Sequence, residues 1–282
     1  MKSINCKGEL IDLTVPRIMG IINVTPDSFY DGGVTIDLDA ITKQGGRMLE
    51  AGASFLDVGG YSTRPGATDI SPTEEVERVL PAIRALLSNF SDALISVDTF
   101  RAEVARVCIE AGAAMINDIS GGQMDPEMLP TVADLQVPYV LMHSRGNPRT
   151  MQSLTDYDQV TRDVTRFFAE RLLAARELGI NDIIIDPGFG FAKTLEQNYT
   201  LLDGMEQLQL LEAPISVGLS RKSMIYKLLG STPAEALNGT TVLQTIALLK
   251  GADILRVHDV AEARECITLV GQLKSYDQEI LM

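Results

Sequence analysis

Phe55-Leu56-Asp57-Val58-Gly59-Gly60 is an apolar run that carries a carboxylate inside it and ends in two glycines. The apolar residues are continuous rather than alternating, which suits a parallel strand covered on both faces. A helical pattern from Leu38 to Ala51 precedes it and stops at Ala51-Gly52-Ala53, where glycine supplies a left-handed C-cap. Ala111-Gly112-Ala113 repeats that stop, and Gly179 and Gly251 occupy equivalent places.

Seven further runs share this character: Ile18-Met19-Gly20-Ile21-Ile22, Leu94-Ile95-Ser96-Val97, Ala114-Met115-Ile116, Tyr139-Val140-Leu141-Met142, Ile183-Ile184-Ile185, Ile215-Ser216-Val217 and Ile254-Leu255-Arg256-Val257. Helical patterns separate them, from Glu74 to Leu87, Phe100 to Glu110, Gln159 to Leu178, Leu195 to Leu211, Ala234 to Lys250 and Val260 to Leu273. Eight strand-helix units in 282 residues predict an α/β fold, a (β/α)8 TIM barrel. A doubly wound open sheet uses the same alphabet. Eight units and a uniform composition favour the closed barrel, read as one domain over 1–282 with the barrel roughly at 17–275. Residues 3–14 alternate weakly and are expected to form a β-hairpin capping the barrel bottom.

The formal net charge is -14. So acidic a chain is repelled by nucleic acid and by anionic membrane surfaces, and any anionic substrate needs a local group of cations. Cys6, Cys108 and Cys266 are widely spaced and odd in number, which argues against a disulfide framework or zinc site and fits a reducing cytoplasm. No run reaches the length of a membrane span, and the first residues lack the apolar core of a signal peptide.

In a TIM barrel the active site lies at the C-terminal strand ends. Here those ends carry Asn23, Asp57, Asp98, Asn117 with Asp118, His143, Asp186, Ser220 to Lys222, and Arg256 with His258. A single Asn or Asp there is ordinary turn chemistry. A full ring is not, because Asp57 and Asp98 sit within or at the edge of apolar runs, where an unpartnered carboxylate is costly. His143 alone is as well explained by packing as by function.

Four motifs sharpen the reading. Asn23-Val24-Thr25-Pro26-Asp27-Ser28-Phe29, continuing to Asp31-Gly32-Gly33, is a strand entering a turn-rich loop, with Phe29 as a lid residue. Gly59-Gly60-Tyr61-Ser62-Thr63-Arg64-Pro65-Gly66 allows close backbone approach and offers donors to an anion. Asp186-Pro187-Gly188-Phe189-Gly190-Phe191 places a carboxylate before two aromatics, a setting for a planar heterocycle with adjacent donors. Ser220-Arg221-Lys222-Ser223 opens a helix with cations at its positive end, an anion site. Arg64, Lys222, Arg256 and His258 supply the local cationic group.

In this order the motifs resemble those of the dihydropteroate synthases over roughly residues 17–275; Ser96-Val97-Asp98-Thr99, Ile116-Asn117-Asp118 and Leu141-Met142-His143 match as well. The resemblance implies a cytoplasmic TIM-barrel transferase, usually a homodimer. It condenses (7,8-dihydropterin-6-yl)methyl diphosphate with 4-aminobenzoate, requires Mg²⁺ and is a sulfonamide target. It also implies that Asp98, Asn117, Asp186 and Lys222 hold the pterin, with Met142, Phe191, Gly218 and Arg256 around it. Arg256, His258 and Asn23 would hold the diphosphate, Asn23 through the metal. Thr63 and Arg64 would close over the anion and the second substrate. Phe29, Pro65, Phe191, Lys222 and Ser223 would form the aminobenzoate pocket, and Asp27 and Asp31 would order it and the metal. The catalytic set on this reading is Asp98, Asn117, Asp186, Lys222, Arg256 and His258.

One departure is Tyr61, where many members have an acidic residue. Two other readings use the same residues: the pterin-binding domain of a corrinoid methyltransferase, and a non-catalytic paralogue. The anion motifs argue against the first and the intact Asn23, Arg64, Lys222 and Arg256 against the second.

Overall fold

The computed structural model describes residues 2–25, 30–31, 35–62 and 69–280, with backbone alone for residues 30, 31, 35 and 274–280. β1 (Ser3–Cys6) and β2 (Glu9–Asp12) form an antiparallel hairpin. β3 (Arg17–Asn23) leads to a short ribbon, β4 (Tyr30–Asp31) with β5 (Thr35–Ile36). Then come α1 (Leu38–Ala51), β6 (Phe55–Gly59), α2 (Pro72–Asn89), β7 (Leu94–Asp98), α3 (Ala102–Glu110) and β8 (Met115–Asp118). α4 (Met128–Leu135), β9 (Tyr139–Met142), α5 (Val160–Glu177), β10 (Ile183–Asp186) and α6 (Leu195–Asp203) follow. The chain continues through β11 (Ser216–Val217), α7 (Ser223–Leu229), α8 (Leu237–Leu249), β12 (Ile254–Val257) and α9 (Val260–Ile280).

Eight parallel strands run in the order β10-β9-β8-β7-β6-β3-β12-β11. A parallel bridge between Ile185 and Ile215 joins the two ends and closes the (β/α)8 barrel. The eight runs predicted from sequence are these eight strands. Two helical segments differ from the prediction. The pattern from Leu195 to Leu211 breaks at Gly204 into α6 and a 3-10 turn, Met205–Leu211. Helix α4 was not anticipated: it spans eight residues, includes Pro130, and starts without a side-chain cap.

Strand side chains alternate, and the alternation sets the barrel's layers. Met19, Phe55, Met115, Val140, Ile184 and Ile254 form one apolar cluster with Ile4, Cys6 and Leu13 of the N-terminal segment. The hairpin thus caps the barrel floor as expected. Two positions further along the same strands stand Ile21, Asp57, Asn117, Met142, Asp186 and Arg256. These side chains share the inward face one layer up. The intervening residues, among them Ile22, Leu56, Val58, Ile116, Leu141 and Ile185, belong to the larger cluster formed with the helices.

Local signals set the helix ends. Asp37 accepts from the Ala40 amide at the start of α1, and Gly52 ends it with a φ of 108°. Ser71 caps α2, with Pro72 in its first turn, and Thr194 with Gln197 forms a capping box on α6.

Candidate functional site

The upper ends of the strands open into a cleft of about 1060 Å³. Asn23, Tyr61, Asp98, Phe191, Lys222, Ser223, Arg256 and His258 line it. Asn117, Met142, Asp186 and Gly218 are buried beneath that lining, in the inward-facing layer.

A guanidinium organises the floor of the cleft. Arg256 donates Nε to Asp57 Oδ2 at 2.6 Å and Nη2 to Asp98 Oδ2 at 2.6 Å. Asn117 Nδ2 donates to the same Asp57 oxygen at 3.0 Å. An ionised carboxylate only accepts, so this bond fixes the Asn117 amide with Oδ1 turned away from Asp57. The registers Gly59↔Asp98 and Asp98↔Asn117 set the three strands side by side. A Cβ on Gly59 would lie 3.2 Å from that of Asp98, so the glycine gives the Asp98 side chain its room. Burial pushes the Asp98 carboxyl up to about 7, against the pull of Arg256. Two of the three guanidinium nitrogens of Arg256 therefore serve carboxylates, which refines its sequence reading as one of a cationic group.

The second half of the site is the turn after β10. Asp186 Oδ1 accepts from the Gly188 amide at 2.7 Å, and burial raises the Asp186 carboxyl above the usual carboxylate range. Lys222 runs over Gly190 and Gly218, donates to the Phe189 carbonyl and lies 4.5 Å from the centre of the Phe191 ring. Burial lowers the Lys222 amine to about 8, opposed by Asp186 and Asp98. Asp98, Asn117 Oδ1 and Asp186 thus present oxygen acceptors beside one ammonium, while Phe191 offers an aromatic wall.

The remaining sequence-predicted groups divide between the cleft rim, lined by Arg221 and His258, and the turns and core around it. Arg221 is paired in bidentate fashion with Asp259, both bonds at 2.8 Å, and also donates to the Pro233 and Ala234 carbonyls; it ties the loop after β11 to that after β12. Asp118 accepts from Tyr139 Oη at 2.6 Å and from the Ser120 and Gly122 amides, so it builds a turn. His143 is buried, packed edge-on against Phe167, with Nδ1 3.0 Å from Lys193 Nζ. His258 is exposed at the cleft rim, and its backbone amide donates to Ser220 Oγ. Asp27, Phe29, Thr63, Arg64 and Pro65 lie outside the described residues, as does the side chain of Asp31.

Sequence reasoning missed three groups. Lys193 is buried behind the turn; its signal was a lysine directly after Phe191-Ala192 with no acidic neighbour. Met151, Gln152 and Tyr226 line the cleft from segments that carry no motif. Arg101 donates to buried Glu75 at 2.6 Å and to the Ile70 carbonyl, and lies over the rings of Phe100 and Tyr61. Tyr61 Oη in turn donates to Asp69 at 3.2 Å.

Asn23, half-buried at the end of β3, contributes an amide to the cleft. Among the described residues no three His, Cys, Asp or Glu side chains converge as a metal cage. Asn23 offers one neutral oxygen; Mg²⁺ commonly keeps several waters and takes its other ligands from carboxylates and substrate phosphates.

An eight-stranded barrel with oxygen acceptors, a lysine and an arginine gathered at its upper strand ends is the architecture of a barrel enzyme with a small-molecule substrate. The sequence model of the family described as pterin binding enzyme matches residues 19–258. Dihydropteroate synthase of Synechocystis sp. is 49% identical over 253 residues, 88% of this chain and 87% of that protein. The solved structure of Xanthomonas albilineans dihydropteroate synthase with 4-aminobenzoic acid superposes with a TM-score of 0.89 at 42% identity, covering 96% of this chain and 98% of the other. A structure of the Xanthomonas albilineans enzyme in complex with 7,8-dihydropteroate gives 0.86 at 39% identity, covering 97% and 99%. The chain belongs to the pterin-binding enzyme family and, within it, to the dihydropteroate synthases.

Proposed function

We propose that this chain joins (7,8-dihydropterin-6-yl)methyl diphosphate to 4-aminobenzoate, giving 7,8-dihydropteroate and diphosphate. The observation that carries the reading is the set of acceptors, Asp98, Asn117 Oδ1 and Asp186, beside Lys222 and against the Phe191 ring. A pterin is flat and carries several N–H donors on one edge, and the relatives are synthases that make this product or hold its parts.

In the reaction the carbon-oxygen bond to diphosphate breaks and a carbon-nitrogen bond to the arylamine forms, with loss of one amine proton. The electron-rich pterin supports positive charge at its methylene, and Asp98 and Asp186 near the ring stabilise that charge. The arylamine needs no strong base. Met142 and Gly218 complete the pterin's surroundings. Arg256 and His258, with Thr63 and Arg64, meet the leaving diphosphate; Phe191, Ser223, Phe29 and Pro65 meet the aminobenzoate ring and carboxylate. Asn23 would hold Mg²⁺, which when bound neutralises developing charge on the diphosphate oxygens. Asp27 and Asp31 would order the first loop around it.

Exposed Val242, Leu249 and Leu269 on the packed pair α8 and α9 support a homodimer. Three free, buried cysteines support a cytoplasmic enzyme. No described helix is long and apolar enough to cross a membrane.

Diphosphate release by the purified chain, supplied with the dihydropterin diphosphate and Mg²⁺, tests the activity. Release that depends on 4-aminobenzoate and yields dihydropteroate is expected. Tight pterin binding without turnover would mark a binding module instead.

A further inference from the structure

The turn Gly188-Phe189-Gly190-Phe191 is held almost wholly by side chains. Lys193 Nζ donates to the carbonyls of Gly188 at 3.0 Å and Phe191 at 3.1 Å, and its third direction meets His143 Nδ1 at 3.0 Å. Asn198 Oδ1 accepts from the Gly190 amide at 2.7 Å, and Asp186 accepts from that of Gly188. Lys222 takes the Phe189 carbonyl from the cleft side. Two lysines therefore grip one turn from opposite sides, Lys222 in the cleft and Lys193 behind it. Lys193 is 5% exposed, and none of the residues assigned above to substrate contact does its work.

An ammonium has three donors and no acceptor. In that form Lys193 spends two donors on the backbone of the turn and one on the ring of His143, which directly follows β9, although burial pulls this amine well below the usual lysine range. With Lys193 as the donor, His143 Nδ1 accepts and the ring proton sits on Nε2, while the His143 amide donates to the Asp186 carbonyl at 2.9 Å. The arrangement bolts the last strand residue, Asp186, and the aromatic wall, Phe191, to the neighbouring strand at one fixed separation.

We propose that Lys193, seated on His143, is a positioning residue for the pterin: it fixes the spacing between the Asp186 carboxylate and the Phe191 ring, and touches no substrate itself. This rests on the pterin reading above. Lys193 acts through geometry, so its loss should weaken pterin recognition specifically. A purely structural lysine would instead lower the fraction of folded enzyme, reducing kcat with KM unchanged.

The experiment measures steady-state kinetics for both substrates, and calorimetric binding of the dihydropterin diphosphate, for the unaltered enzyme, Lys193→Met, His143→Asn and His143→Leu, with thermal melts in parallel. Lys193→Met is expected to raise KM and Kd for the pterin about tenfold or more while moving the aminobenzoate KM far less. His143→Asn keeps an acceptor near the Nδ1 position and should retain more pterin affinity than His143→Leu. Unchanged pterin KM and Kd in Lys193→Met overturns the proposal. If that variant does not fold, the histidine pair decides: equal pterin affinity in the two overturns it. An unaltered enzyme that neither binds nor turns over the pterin is a different failure, that of the functional reading.

Discussion

Asp57 and Asp98 face one guanidinium from neighbouring strands, each taking a 2.6 Å hydrogen bond from Arg256. Asp57 is fully buried, and its Oδ1 has no partner among the described residues. Its other oxygen holds both Arg256 and Asn117. Removing one member of a buried ion pair leaves the rest uncompensated, at a cost of about 3–5 kcal/mol. Asp57→Ala is expected to lose stability on that scale in chemical denaturation. Arg256→Lys should also fail, because a point charge cannot serve two carboxylates as a planar fork does; its kcat/KM for the pterin should fall by about 100-fold.

The pH dependence of kcat/KM reports ionisations of the free enzyme. Burial holds Asp98 protonated up to about 7, and burial lowers Lys222 to about 8. An acceptor for pterin donors is lost as pH falls through the first value, and a cation is lost as pH rises through the second. A narrow bell between them is expected. Asp98→Asn should abolish the acid limb and Lys222→Arg the alkaline one, each at reduced overall rate. A flat profile from pH 6 to 9 would remove both assignments.

Gly188 has a φ of 67°, and a Cβ there would stand 2.0 Å from the His143 carbonyl oxygen. Backbone cannot yield as a flexible side chain does. Gly188→Ala is expected to melt well below the unaltered chain, and its folded fraction to bind the pterin poorly because Asp186 loses the amide that orients it.

At the other end of the barrel, Ile4 is almost fully buried in the floor cluster with Phe55 and Ile184. Ile4→Ala should cost about 2–5 kcal/mol in denaturant titration. Because the floor lies a layer below the acceptors, its substrate KM values should stay near those of the unaltered enzyme. A selective change in pterin KM would show that the layers are coupled.

The strands were legible because a parallel strand buried on both faces reads as a continuous apolar run, and the helices because glycines end them. The same continuity concealed which residues point inward. Phe55 and Asp57 look alike as members of one run, and only the closed barrel shows that both face the interior, one on the floor and one beneath the cleft. The ring of polar strand ends was legible as a ring, but its sorting was not. Asp118 beside Asn117 turns outward to Tyr139, and Arg221 beside Lys222 turns to Asp259, because adjacent residues in a strand or turn face opposite ways. Lys193 escaped notice since its partners are carbonyls and a histidine, which leave no pattern in sequence. Helix α4 escaped because it is only eight residues long, carries Pro130 inside it, and has Thr131 and Asp134 as its only polar residues, too few to show a period.

Arg256 and Asp57 stand 199 residues apart, and β12 is the strand that joins β3 to β11. During synthesis, the two carboxylates emerge long before the cation that neutralises them. A growing chain therefore holds Asp57 and Asp98 with no reason to enter an apolar interior until residue 256 leaves the ribosome. Ring closure and charge neutralisation therefore depend on the same strand: β12 both bridges β3 to β11 and brings the cation that pairs Asp57 and Asp98.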